Sequence, residues 1–345
     1  MKQRRSFAEK IIASRIREMD QQTESRNFKR EDEGGCGVTG FACNVPIAGR
    51  FIFEPSACMH NRGNGKGGGV AAVGMNPDML GVSREVLDSH YLLNVALLEP
   101  SCLKALKETY VTPFFDIAKE ENVEHLPDYR ELEELEVQPP DIWRAFVRVK
   151  PDVLKHFIAE TGLHGISARA AEDEFVSRNS FKINRDFYSS LGEKQAFVLS
   201  HGRNVMILKI VGYAENVVRY YKMEDFQAHV WMAHQRYPTR GRVWHPGGAH
   251  PFSGLNEALV HNGDFANYYA TCDYLKQRGM EPLFMTDTEV SVMLFDLWNR
   301  VYGYPLEVII EALAPTSELD FDLLPPEKQA IYEKIQMAGR HSRNW

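Results

Sequence analysis

What the 345-residue chain lacks narrows the field first. Its five cysteines are odd in number and irregularly spaced, so they do not make a disulfide framework, and a reducing cytoplasm is the expected compartment. No apolar run approaches the length of a membrane span, so no membrane partner is expected. The opening stretch MKQRRSFAEKIIASRIREMDQQTESRNFKR holds no continuous apolar core of a secretory signal, and Glu9, Glu18, Asp20 and Glu24 count against a transit peptide. Positive charge is not in excess. A formal net charge of −7 and a pI near 6.0 argue against nucleic acid as the main partner. There is no fixed-period repeat and no low-complexity tract.

Two common chemistries are missing as well. The glycine-rich GNGKGGG at 63–69 lacks the spacing of a phosphate-binding P-loop, and Lys66 is followed by glycine, where a hydroxyl would be needed for magnesium. A loop so rich in glycine is read instead as packing closely against an active site. Cys36 and Cys43 are separated by six residues, and Cys58 lies two positions before His60; neither spacing is that of a zinc or iron–sulfur site. His229, His234, His245, His250 and His261 crowd one region without the helical pairing of a metalloprotease, and are expected to line a polar pocket or to bond backbone.

What is present reads as an α+β chain with antiparallel strands. Residues 1–35 form a charged leader. A β-rich segment begins at Val38 and runs to Phe53. The long mixed stretch at about 85–190 reads as a large insertion or subdomain, with helical spacing in ELEELEV and in DIWRAFVRVKPDVLKHFIAE. KQAFVLSHGRNVMILKIVGY predicts a hairpin, AENVVRYYKM a helix, and AHVWMAHQRY and EALVHNG strands. Residues 267–279 predict a helix closing on Gly279, and 286–304 an amphipathic helix entered through a Thr286/Glu289 capping box. The domain proper is taken as 36–335, with 326–337 helical and 336–345 a tail.

One set of residues carries chemistry. Cys36, in EDEGGCGVTGF, is by itself more often a small buried thiol than a nucleophile; a thiol needs a base or a lowered pKa to react at neutral pH. Downstream lie complementary parts. Arg236 is a planar clamp suited to a carboxylate, and Asp287 a carboxylate suited to an ammonium. Asn262 and the Gly263 backbone N–H form a turn able to donate two hydrogen bonds to an oxyanion. Each has a plainer reading: Arg236 paired with a structural carboxylate, Asp287 capping its helix, Asn262-Gly263 a simple turn. Together they describe attack on an amino-acid side-chain amide.

The ordered set Cys36-Gly37-Val38, Arg236-Tyr237-Pro238-Thr239, His250-Pro251-Phe252, His261-Asn262-Gly263 and Thr286-Asp287-Thr288-Glu289 resembles the class II glutamine amidotransferases, which are N-terminal-nucleophile hydrolases. Residues 173–215 and GGAHPF narrow the likeness to the stand-alone amidotransferase subunit of archaeal-type glutamate synthase. The resemblance implies a four-layer αββα sandwich carrying the large insertion. It implies that Cys36 attacks L-glutamine with its own α-amino group as base, that Asn262 and Gly263 hold the oxyanion, that Arg236 and Thr239 hold the α-carboxylate and that Asp287 holds the α-ammonium. Tyr237 and His250 would shape the pocket. The ammonia would go to a glutamate synthase catalytic subunit bearing flavin and iron–sulfur centres, for which this chain shows no site of its own.

Two departures accompany the likeness. The amine of encoded Cys36 is tied up in a peptide bond with Gly35, so cleavage at Gly35–Cys36 is expected before activity. No strand pair is visible after about residue 304, so the sandwich is expected to be completed elsewhere or the sequence to be truncated or frame-shifted. Competing readings are an amidotransferase serving another acceptor, such as a sugar or nucleotide precursor, and a catalytically silent regulatory or scaffold subunit.

Overall fold

The β-prone run after Cys36 is extended, as its sequence predicts. In the computed structural model, which describes residues 35–236, 245–263 and 267–341 (side chains to 335), β1 spans Gly37–Ala48. Its antiparallel partner is β8 (Gln227–Gln235), which pairs on its other side with β2 (Gly68–Met75); β7 (Val205–Ile210) closes the sheet in the order β1-β8-β2-β7. A second antiparallel sheet has the order β4-β5-β3-β6, from Phe115–Asn122, Asp141–Val149, Tyr91–Leu97 and Ala196–Ser200. A short pair, β9 (Phe252–Ser253) with β10 (Ala258–Leu259), lies apart. Residues 85–190 therefore supply three of the four strands of the second sheet.

Side-chain alternation explains the layering. Along β3, Leu92 and Ala96 enter a core shared with Val70, Ala72 and Leu208 of the first sheet. The intervening Tyr91, Leu93 and Val95 enter another with Val176 and Ile183 of the helix Ala168–Phe187. Numbering helices of seven residues or more, α1 is Pro151–Thr161, α2 Ala168–Phe187 and α3 Ala214–Tyr220. The helices α4 (Tyr268–Lys276), α5 (Asp287–Asp296), α6 (Leu306–Leu313) and α7 (Pro326–His341) follow β10, with no further strand among the described residues. No described helix is long and apolar enough to cross a membrane.

Four local expectations are corrected. DIWRAFVRV is strand β5, and only from Pro151, at the first turn of α1, is the chain helical. The strand is buried on both faces, so its apolar run hid the period of two. ELEELEV holds no α-helix; its neighbourhood has only a single 3-10 turn at Tyr129–Glu131. β6 and β7 are successive but do not pair: the His-Gly-Arg-Asn turn passes the chain from one sheet to the other. Both strands are nearly all buried, which a two-stranded hairpin open to water could not provide. The helix α7 runs four residues beyond its expected end, to His341.

Candidate active site

Register brings the first two parts together. Gly37 is paired with Gln235 across β1 and β8, so the preceding Cys36, half-buried, sits opposite the end of β8, where Arg236 follows. The glycine loop underlies this junction. The Arg236 amide donates to the Gly67 carbonyl at 2.8 Å, and the Asn64 amide donates to the Arg236 carbonyl at 3.2 Å. A Cβ at Gly37 would lie 2.7 Å from the Met59 Cβ, and one at Gly69 only 2.1 Å from the His250 carbonyl oxygen. Here glycine serves close approach of one backbone to another.

Arg236 is 9% exposed, a costly place for a charge without anionic company. Burial lowers its pKa, while the electrostatic influence of Cys36, Asp287 and Tyr188, in that order, acts to raise it. Cys36, Arg236 and Asp287 thus share one electrostatic environment. Tyr188 is a member that composition and motif did not reveal. It stands at the end of α2, 4% exposed, packed on Phe284 with ring centroids 4.5 Å apart.

Asp287 is placed by its helix. The Thr286 hydroxyl caps α5 by accepting from the Glu289 amide at 3.2 Å, as the capping-box pattern predicts. The reciprocal half differs: the Glu289 carboxylate accepts from the Leu283 and Phe284 amides at 2.6 and 2.8 Å. It therefore fixes the approach to the helix. Burial raises its pKa to about 7 against those bonds. Asp287 Oδ2 lies 3.5 Å from His261 Nδ1, which brings the His261-Asn262-Gly263 turn to the same end of α5. Asn262 and Gly263 are exposed. Thr239, with Tyr237 and Pro238, and the leader through Gly34 lie outside the described residues.

Behind these groups the histidines bond much as the sequence suggested. His229 Nδ1 meets the Cys43 carbonyl at 3.0 Å, His234 Nε2 the His261 carbonyl at 3.3 Å, and His245 Nδ1 accepts from the Gly247 amide at 3.0 Å. His250 Nε2 lies 2.9 Å from the Thr288 hydroxyl, and its ring stacks on His234 with centroids 4.0 Å apart. Burial holds His234 near a pKa of about 3 and His250 well below the ordinary value, so both are neutral. Lys209, under the same face, is 3% exposed and lowered to about 7, first by burial, with its ammonium 3.7 Å from the Phe252 ring centre. With Glu289 it lines a cavity of about 110 Å³. Its strand, VMILKI, is apolar at all its other positions, and the lysine's place beside the site is set by tertiary packing. His60 joins Glu215, which accepts from Gln235 at 2.9 Å, tying the glycine loop to α3 and β8.

With this geometry in place, likeness to known proteins can be read. No family model matches the chain. A protein of Archaeoglobus fulgidus, described as uncharacterized, is 28% identical over 311 residues, 89% of this chain and 74% of that one. Glutamine–fructose-6-phosphate aminotransferase of Campylobacter jejuni is 36% identical over 98 residues, and that of Sulfurisphaera tokodaii 35% over 128. These stretches cover 28% and 36% of this chain but only 16% and 21% of the aminotransferases. The chain is related in part to glutamine amidotransferases. The similarity supports an amidotransferase enzyme, and it spans well under half of those relatives' length.

Proposed function

We propose that the chain is a glutaminase whose nucleophile is Cys36, acting once residues 1–35 are removed. The observation that carries the reading is the β1–β8 register that sets Cys36 opposite Arg236, with Asp287 close enough to act on the same guanidinium. A buried guanidinium beside a thiol and a carboxylate matches what an α-amino acid bearing a side-chain amide requires. The two antiparallel sheets, with α2 on the far face of the second, support the αββα N-terminal-nucleophile reading.

Cleavage at Gly35–Cys36 releases an α-amino group with a reference pKa of about 7.7–8.0, suited to take the thiol proton at neutral pH. The thiolate attacks the glutamine carboxamide carbon. The Asn262 side chain and the Gly263 amide stabilise the tetrahedral oxyanion. The proton passes to the departing nitrogen, ammonia leaves, and a γ-glutamyl thioester remains. Water, deprotonated by the same amine, resolves it to glutamate and regenerates the thiol. Arg236, helped by Thr239, holds the α-carboxylate, and Asp287 holds the α-ammonium. The ammonia is delivered to a glutamate synthase catalytic subunit that carries flavin and iron–sulfur centres.

The partial likeness to glutamine–fructose-6-phosphate aminotransferases favours a second acceptor, a sugar phosphate on another chain, as the runner-up. The test is glutamine-dependent ammonia release by protein beginning at Cys36, with Cys36→Ala as control. Release that is lost in the control supports the glutaminase reading; equal release, or none from either, overturns it. Co-purification of a flavoprotein separates the two acceptors.

A further inference from the structure

The stacked pair His234 and His250 lies between the two halves of the site, and its hydrogen bonds run outward to both. His234 sits on β8, paired with Val38 two residues past Cys36. Its Nε2 faces the His261 carbonyl, and a carbonyl can only accept, so Nε2 carries the hydrogen. Its Nδ1 has no partner among the described residues, nor does Nδ1 of His250. An unpaired lone pair is easier to bury than an unpaired N–H, which assigns the His250 hydrogen to Nε2 as well. His250 then donates to the Thr288 hydroxyl at 2.9 Å, leaving the hydroxyl hydrogen for Asp287 Oδ1 at 3.5 Å.

We infer that this neutral pair is a split positioning device: His234 sets the Asn262-Gly263 turn through the His261 carbonyl, and His250 sets Asp287 through Thr288. The inference rests on the glutaminase reading of Cys36, Asn262, Gly263 and Asp287. Neither histidine touches substrate, so neither is a catalytic residue. The stack, with ring centroids 4.0 Å apart, ties the two arms together. Because one arm ends on a group that acts on the tetrahedral intermediate and the other on a group that binds the substrate's amine, the arms are kinetically separable.

The test uses protein beginning at Cys36 and steady-state glutamine hydrolysis. Phenylalanine keeps the ring and the stack but removes the donor. His234→Phe is expected to lower kcat about 10–100-fold with KM within about 3-fold, and His250→Phe to raise KM about 10–100-fold with kcat within about 3-fold, as for losing one hydrogen bond that orients a polar group. His250→Gln, whose amide reaches the Nε2 position, restores KM to within about 3-fold. Thr288→Val, which removes the hydroxyl at nearly constant shape, reproduces the His250→Phe effect and serves if His250→Phe fails to fold; His234→Gln, whose amide reaches the His261 carbonyl, keeps kcat within about 3-fold and serves the other arm, a larger loss overturning it. Both ring variants moving the same parameter, or Thr288→Val leaving KM unchanged, would overturn the split. Failure of the wild type to hydrolyse glutamine would instead overturn the glutaminase reading, so the two failures are distinct.

Discussion

Acid sensitivity of the folded state gives the sharpest stability test, through His234→Gln. His234 is fully buried and neutral, with its pKa lowered to about 3 chiefly by burial. Arg236 just past the end of its strand, Lys209 on β7, and His261 hold it down further; the hydrogen bond to the His261 carbonyl opposes them. In the unfolded chain an ordinary histidine titrates near about 6.5. The folded pKa lies below the unfolded one, so the unfolded state takes up the proton first as pH falls. Stability is therefore fully present above about 6.5 and is lost on acidification until the folded group also protonates near 3. At pH 5 the loss is about 1.5 pH units times 1.36 kcal/mol, or about 2 kcal/mol. Glutamine reaches the same carbonyl and does not titrate. The variant should lose about 2 kcal/mol less than wild type between pH 7 and pH 5, measured by urea unfolding at both values. Glu289, with its pKa raised to about 7, works in the opposite sense, since the folded state gains its proton first. It is present in both proteins and cancels in the difference. Identical pH dependence of the two proteins would refute the burial argument.

Other perturbations follow from the same contacts. Gly69→Ala would place its Cβ 2.1 Å from the His250 carbonyl oxygen, so a loss of about 1–3 kcal/mol is expected in thermal or urea unfolding. Glu289→Ala strands the Leu283 and Phe284 amides and should cost about 2–4 kcal/mol, with Glu289→Gln costing less because one acceptor survives. Lys209 has a folded pKa of about 7 against about 10.5 unfolded, so its burial costs stability increasingly as pH falls from 10.5 to 7. Lys209→Met should accordingly be neutral or stabilising at pH 7 in a melting experiment, and clear destabilisation would contradict this. Asp287→Asn should raise the KM for glutamine about 10–100-fold with a much smaller change in kcat; an unchanged KM would remove Asp287 from the binding assignment.

How much of this was legible in sequence depended on whether a residue's signal was local. β1, β8, α3 and the cap of α5 were readable because their alternation, helical spacing or Thr286/Glu289 pattern is carried by neighbouring residues. β5 was not, because both its faces are covered and no period survives. The β6–β7 link read as a hairpin since a turn sequence does not say which sheet each strand joins. At the site, Cys36, Arg236 and Asp287 were named from their chemistry, and their meeting follows from register and the placement of α5. Tyr188 and Lys209 carried no local mark. One ends a long helix and the other sits in an apolar strand, and only tertiary packing turns them toward Arg236. The histidine crowding was visible, whereas the stack of His234 on His250 required two segments to be brought face to face.

The central claim is that Cys36 reacts as an N-terminal residue, and its most direct test is the N-terminus of active protein. Intact mass and Edman sequencing of a preparation that releases ammonia from glutamine should both begin at Cys36, with residues 1–35 gone. Full glutaminase activity from a chain shown to retain Met1 would contradict the mechanism.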